Sequence, residues 1–102
     1  MKTVSCADFY MPELPEDSWY QLTGHVFDID DNRYGNFYLI NANCALYVYG
    51  LKAQKDGADG KFQELAASKG IKYGSVITII GKKKTYNGQE MVSDAYLVDV
   101  KN

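Results

Sequence analysis

The chain has 102 residues, of which 46% are hydrophobic and 24% charged, so it is predicted to fold as one soluble domain. Its formal net charge of -2 excludes a general electrostatic affinity for nucleic acid. Binding to a polyanion would therefore require a local basic patch.

The cysteine and histidine content limits the possible metal and redox chemistry. Cys6, Cys44 and a single histidine do not make up any of the usual structural zinc sets, and we predict no metal site and no cofactor. Because the two cysteines are far apart and show no framework pattern, we expect free thiols rather than a disulfide.

Membrane insertion is not predicted, because no apolar run approaches the roughly 20 residues that span a bilayer. The N-terminus also lacks the apolar segment of a signal peptide. We therefore predict a cytoplasmic location, or an exported one if the sequence is a piece of a longer protein.

Residues 1–17 contain both prolines and show no sustained period, which predicts an irregular lead-in to a domain at residues 18–102. Three apolar or aromatic side chains of this lead-in, Phe9, Tyr10 and Met11, are expected to pack on the domain.

From Ser18 the chain alternates between apolar and polar residues, which predicts a first strand. Gly24 falls on its inward set, where a glycine is typical of a bulge or sharp coil in a barrel. A polar turn then leads to strands at about 36–41 and 45–51, so the first three strands are predicted to form a meander.

A short helix is predicted next, because Phe62 and Leu65 recur at helical spacing after a polar link. We expect Asp59 or Gly60 to cap its start and Gly70 to end it.

Two further strands are predicted at about 75–86 and 89–100. Asn87-Gly88 between them is a strong signal for a two-residue hairpin. The predicted order is therefore three strands, a helix and two strands.

This order is the layout of the OB-fold, the oligonucleotide/oligosaccharide-binding barrel. "YQLTGHVFDI" resembles the first strand of the anticodon-binding type, and "YGSVITIIGKKKTYNGQEMV" is similar to its fourth and fifth strands. The chain also resembles uncharacterised bacterial OB modules, described only as nucleic-acid-binding, with "FY" and "YVY" in their middle strands. The resemblance implies an all-β, five-stranded Greek-key OB-fold barrel with one α-helix between strands 3 and 4.

An aromatic patch is predicted on the outside of the middle strands. Four apolar residues alternate there with three tyrosines, so burial of the apolar set turns the tyrosines outward. The apolar set is Phe37, Leu39, Leu46 and Val48; the tyrosines are Tyr38, Tyr47 and Tyr49. Phe27 extends the patch. In OB barrels this surface binds ligands, and each stacked base contributes about 1–3 kcal/mol; the alternative is that tyrosine simply covers a half-exposed strand.

A basic patch is predicted beside it. Lys82 and Lys84 share one face of the fourth strand while Lys83 points the other way, and Lys52 and Arg33 extend the patch. These side chains suit phosphates, as charges without base preference. The alternative is that the strand lysines only discourage aggregation.

The loop "DIDDNRYGN" opposes this interpretation, because its aspartates would repel a phosphate backbone and suit a basic peptide or a neutral sugar better. It partly resembles a calcium loop, but Arg33 stands where glycine is needed and Leu39 where a bidentate glutamate belongs. No metal site is therefore predicted there.

The other aromatic residues and the histidine are given structural roles. Trp19 and Tyr96 are expected to be strand-end and core aromatics. Tyr86 is expected to lie on its own hairpin, and the alternative is that it stacks a base at the mouth of the groove. His25 is not linked by motif to a nucleophile, so no enzyme activity is predicted.

The sequence therefore predicts a non-catalytic module that binds single-stranded DNA or RNA on the tyrosine and lysine patches. The alternative is an accessory module that docks a protein segment, a neighbouring domain or a carbohydrate on the same face.

Overall fold

The computed structural model describes residues 2–102. Its elements in chain order are β1 (Lys2–Thr3), α1 (Cys6–Phe9), β2 (Trp19–Asp31), β3 (Asn36–Asn41), β4 (Cys44–Lys52), α2 (Phe62–Lys69), β5 (Val76–Tyr86) and β6 (Gln89–Lys101). The sheet closes because β2 pairs with both β3 and β5, while β4 pairs in parallel with β6. The predicted all-β barrel is confirmed, with β2 to β6 as its five strands, and it is compatible with an OB-like fold.

The core is built by alternation along the strands. The four apolar residues predicted to point inward, Phe37, Leu39, Leu46 and Val48, are at most 3% exposed. Side chains of β2 and β5, including Val26 and Ile77, are fully buried against them. Each such burial contributes about 1.5–3 kcal/mol, so the alternating pattern also supplies the main stabilising term.

Strand β2 is shared between two neighbours, since its first half pairs with β5 and its second half with β3. Gly24 lies at the change of partner, where an added Cβ would approach the Ile40 oxygen and Leu39 Cγ to 2.9 Å. The predicted bulge at Gly24 is wrong, because the glycine is needed for this close approach and the register is regular there. The irregular register of β2 lies between Phe27 and Asp31.

Helix α2 closes one end of the barrel. Phe62 and Leu65 are 1% and 7% exposed, as predicted, and Gly70 ends the helix with a left-handed φ of 71°. The predicted cap at its start is wrong: Lys61 is the N-cap and makes no side-chain cap, while the Arg33 carbonyl accepts the Phe62 N–H at 3.1 Å. Of the helices in residues 2–102, none is long and apolar enough to span a membrane.

The β5–β6 hairpin forms where the sequence predicts it. Asn87 and Gly88 both have positive φ, at 51° and 78°, and Tyr86 pairs with Gln89 across the turn. These left-handed residues match the twist of the flanking strands.

Residues 2–17, called the strap below, contact the opposite end of the barrel. The sequence predicts an irregular segment, whereas the structure contains β1, paired in parallel with β2, and α1, which starts with a capping box at Ser5. Both elements are too short to produce a detectable hydrophobic period. Phe9 is fully buried as predicted, but Tyr10 and Met11 are 43% and 52% exposed.

A disulfide joins the strap to β4. Cys6 and Cys44 are bonded, with their Cα atoms 5.9 Å apart, so the prediction of free thiols is wrong. The pairing of β1 with β2 brings α1 next to the start of β4, a proximity that the sequence separation of 38 does not reveal.

A buried lysine also fastens the strap. Lys83 is 2% exposed, and its ammonium donates to the carbonyl oxygens of Met11 at 2.7 Å and Leu14 at 3.0 Å. It forms an ion pair with Glu90 at 3.1 Å. The strap therefore covers an inward-pointing charge and adds two carbonyl acceptors to the carboxylate that β6 supplies.

Candidate binding face

A cleft of about 460 Å³ lies on the outer face of the barrel. Its lining includes Asp31 at the end of β2 and Tyr34 from the turn that follows. Tyr49 and Lys52 of β4 and Lys84 near the end of β5 also line it. Residues distant in sequence therefore meet here because β4 and β6 pair and close the barrel.

A second hollow of about 290 Å³ continues the cleft toward the β5–β6 hairpin. It shares Tyr49, Lys84 and Ser93 with the cleft and adds Tyr86 and Met91. Tyr49 and Tyr86 are each 61% exposed, so much of both rings is open to solvent. Tyr86 therefore lies at this hollow, where the less favoured of its two predicted roles would place it.

The predicted aromatic residues form a row across the sheet. Phe27 lies opposite Tyr38 on the neighbouring strand, and Tyr38 opposite Tyr47. The rings of Tyr38 and Tyr47 are tilted against each other with centroids 5.2 Å apart, and both residues are half-buried. Within residues 2–102, neither lines the cleft. They form a packed wall beside it, whereas Tyr49 is the open ring of the three.

Tyr47 is also held by the end of β2. Its hydroxyl donates to Asp30 Oδ2 at 3.4 Å. Burial raises the pKa of the Tyr47 hydroxyl, and the nearby Asp30 carboxylate raises it further. Tyr47 therefore stays a neutral donor well above neutral pH.

The lysines of β5 alternate as predicted. Lys83 is buried, while Lys82 and Lys84 lie on the outer side. Lys84 and Lys52 line the cleft directly. Lys82 lies opposite Ser93, a cleft residue, and so borders the cleft.

Arg33 stands apart from the other predicted cations. Its guanidinium lies 5.3 Å from the centroid of the Tyr34 ring, and Tyr34 rather than Arg33 lines the cleft. The sequence analysis did not single out Tyr34. Its position after Asp31, whose carboxylate accepts the Tyr34 N–H at 3.2 Å, places it at the cleft.

The cleft contains both signs of charge. Asp31, Asp59 and Asp94 line it together with Lys52 and Lys84. The predicted acidic loop therefore does reach the site. The phosphate groups of any ligand would have to lie near Lys52 of β4 or Lys84 of β5.

His25 is exposed on β2, where its Nδ1 donates to the Gly74 carbonyl oxygen at 3.2 Å. Across residues 2–102, no three or more His, Cys, Asp or Glu side chains are grouped so as to hold a metal ion.

Comparisons with known proteins inform the fold alone. No family model matches the chain, and no curated protein matches it. Among solved structures, the chain is similar to the hypothetical protein ygiW from E. coli, with a TM-score of 0.58 and 12% identity. The likeness covers 97% of this chain and 87% of that chain. At this identity it shows a shared fold and carries no statement about a ligand.

Proposed function

We propose that this chain is a non-catalytic OB-fold module that binds single-stranded nucleic acid along the cleft and its extension. The observation that carries the proposal is the pair Tyr49 and Tyr86, each 61% exposed, at hollows that Lys84 lines. Exposed rings that stack bases, combined with ammonium groups that contact phosphates, are the components of sequence-tolerant single-strand binding.

Three lysines support this proposal because their ammonium groups are free to bind phosphates. Among the described residues, no carboxylate lies within 4.0 Å of the ammonium groups of Lys52, Lys82 or Lys84. Their charges are therefore not neutralised by a close partner and can attract phosphates. Each phosphate contact releases counterions, so the binding would weaken as salt is added.

The geometry changes which aromatic residues are expected to matter most. Tyr49 and Tyr86 line the groove, whereas Phe27, Tyr38 and Tyr47 form the row beside it. We therefore assign base stacking mainly to the first two. The row would contribute less, by bordering the bound strand.

A second candidate function is docking of a basic or neutral protein segment in the same cleft. The observation that favours it is the excess of acidic residues in the lining, where Asp31, Asp59 and Asp94 accompany only two lysines. A peptide carrying Lys or Arg would meet these carboxylates, and tyrosine rings suit such contacts.

The Cys6–Cys44 disulfide bears on location, because disulfides persist mainly in oxidising compartments. We therefore favour the exported alternative over the cytoplasm. The ligand would then be met outside the cytoplasm, whether it is a nucleic acid or a protein segment.

Fluorescence polarisation with labelled mixed-sequence single-stranded DNA and RNA, at about 50 and about 200 mM salt, tests the proposal. We expect micromolar binding that falls with salt and that Tyr49→Ala and Tyr86→Ala each weaken about fivefold or more. Tyr73→Ala is the matched control, since Tyr73 is 57% exposed and does not line the described cleft.

Absence of binding at both salt concentrations, by protein shown to be folded, would overturn the nucleic-acid proposal. Binding of a lysine-rich peptide instead, with loss in Tyr49→Ala, would establish the second candidate.

A further inference from the structure

Trp19, at the start of β2, is contacted by two lysines that come from different parts of the chain. Lys55, in the loop after β4, places its ammonium 4.9 Å from the centroid of the indole ring, and Lys82, on β5, places its ammonium at 5.0 Å. Both distances lie within the range of about 6 Å for cation–π contacts. The two ammonium groups share one ring and therefore lie within about 10 Å of each other.

These two charges are not neutralised. Among residues 2–102, no carboxylate lies within 4.0 Å of either ammonium group. Two like charges held close together repel each other, and an anion placed beside both would relieve that repulsion. The indole ring holds both lysine ends beside it, so an anion bound next to Trp19 would lie near both charges.

The Trp19 cluster is continuous with the cleft. Trp19 pairs with Lys82, Lys82 with Ser93, and Ser93 with Tyr49 on successive neighbouring strands. Three steps of about 4.8 Å between β-strands make this row about 14 Å wide, a distance that a short single-stranded nucleic acid can cross.

Tyr96 makes a second link between Trp19 and the cleft. It packs edge-on against Trp19 with centroids 5.8 Å apart, and it lies opposite Lys52, which lines the cleft. A ligand in the cleft thus meets Lys52 on its way to Trp19.

We infer that Lys55 and Lys82, held by Trp19, form a phosphate-binding subsite that extends the path of a single-stranded nucleic acid from Tyr49 across β6 and β5. This inference rests on the proposed function. The backbone would then leave the cleft across β6 and β5.

A double variant tests the subsite. Lys55→Gln with Lys82→Gln removes both charges and keeps much of each apolar stem. With an oligothymidylate of about 16 nucleotides, we expect affinity to fall about fivefold or more, and the slope of log K against log salt to shrink by at least about 0.7. The matched control is Lys69→Gln with Lys101→Gln, which removes the same charge from the exposed end of α2 and the end of β6.

The single tryptophan gives a second readout. Emission from Trp19 is expected to change when the oligomer binds to the wild-type protein. The change should be reduced in the Lys55→Gln, Lys82→Gln variant and retained in the control variant.

The outcomes separate the subsite from the proposed function. Tyr49-dependent binding with the same affinity and salt slope in both double variants would overturn the subsite and leave the proposed function standing. Binding of polyglutamate but of no oligonucleotide, with dependence on Lys55 and Lys82, would overturn the nucleic-acid assignment. Binding of no oligonucleotide by the wild-type protein would overturn both.

Discussion

One end of the barrel is closed by α2 through buried apolar side chains, whereas the other is closed by the strap through a disulfide and a buried lysine. Phe62 and Leu65 of α2 are neighbours in sequence and need only a hydrophobic surface to cover. The strap relies on partners far along the chain, Cys44 for Cys6 and Lys83 for two strap carbonyls. The stability of the α2 end should therefore respond to packing changes alone, whereas that of the strap end should also respond to redox conditions and pH.

The largest effect is expected at the α2 end. Phe62→Ala should lower the free energy of unfolding by about 3–5 kcal/mol, because it removes a large side chain that is 1% exposed. Urea unfolding measures this loss, which should be the same with or without a reducing agent. Gln63→Ala, on the exposed side of α2, is the control and should change little. A loss that depends on the reducing agent would contradict the separation of the two ends.

Removing the disulfide should have the next largest effect. The double variant Cys6→Ala, Cys44→Ala should lower the free energy of unfolding by about 4 kcal/mol, since the cross-link restricts the unfolded chain over a separation of 38 residues. A reducing agent should destabilise the wild-type protein by a similar amount and leave this variant unchanged. If reduction leaves the wild-type unfolding curve in place, the strap does not depend on this bond.

Glu90→Gln should lower the free energy of unfolding by about 2 kcal/mol, because it leaves the Lys83 ammonium buried without its carboxylate. The loss should be smaller than for a fully buried pair, since the Glu90 side chain is 19% exposed and two strap carbonyls still accept from Lys83. Lys82→Gln, which alters a neighbouring lysine on the outer face, is the matched control and should cost much less.

The same pair predicts a pH dependence. The hydrogen bond from Thr85 and the Lys83 ammonium lower the pKa of the Glu90 carboxyl below its ordinary value of 4.5. Because the unfolded chain then takes up the proton more readily, the pair stabilises the fold above about pH 4.5 and this contribution is lost as the pH falls through the lowered pKa. Urea unfolding between neutral and acid pH should show a smaller loss for Glu90→Gln than for wild type. Equal pH profiles for the variant and the wild type would show that the Glu90 charge does not contribute to stability.

The smallest effect is expected on the face between the two ends. Tyr47→Ala should lower stability by less than about 1 kcal/mol, because Tyr47 is half-buried and loses mainly its cross-strand contact with Tyr38. Thermal and urea unfolding measure this change, and Tyr47→Phe should cost still less by removing only the hydroxyl bond to Asp30. A loss as large as that of Phe62→Ala would place Tyr47 in the core.

The fold was largely predictable because its signals are local. The inward positions of β3 and β4 follow from alternation, and the hairpin follows from two residues, Asn87 and Gly88. The strap was not predictable in the same way. A helix of four residues has no measurable period, and the Cys6–Cys44 pairing depends on how distant strands are placed.

The candidate site was predictable only in part. Alternation correctly turned Tyr49, Lys82 and Lys84 outward. It gave no information on which strands become neighbours, and the cleft exists because Ser93 of β6 lies beside Tyr49. Trp19 lies at a strand end as predicted, but the same limit hid its two lysines, since they approach from other elements.

The sharing of β2 between two partners also constrains how the chain folds. The β5–β6 hairpin and the β3–β4 turn can form from neighbouring residues, but the bond between Thr23 and Thr78 joins positions 55 apart. Closing such a long loop costs entropy before the contacts are made, so barrel closure should be the slow step. Folding in milliseconds to seconds is expected, with the two halves of β2 acquiring their amide protection at different times.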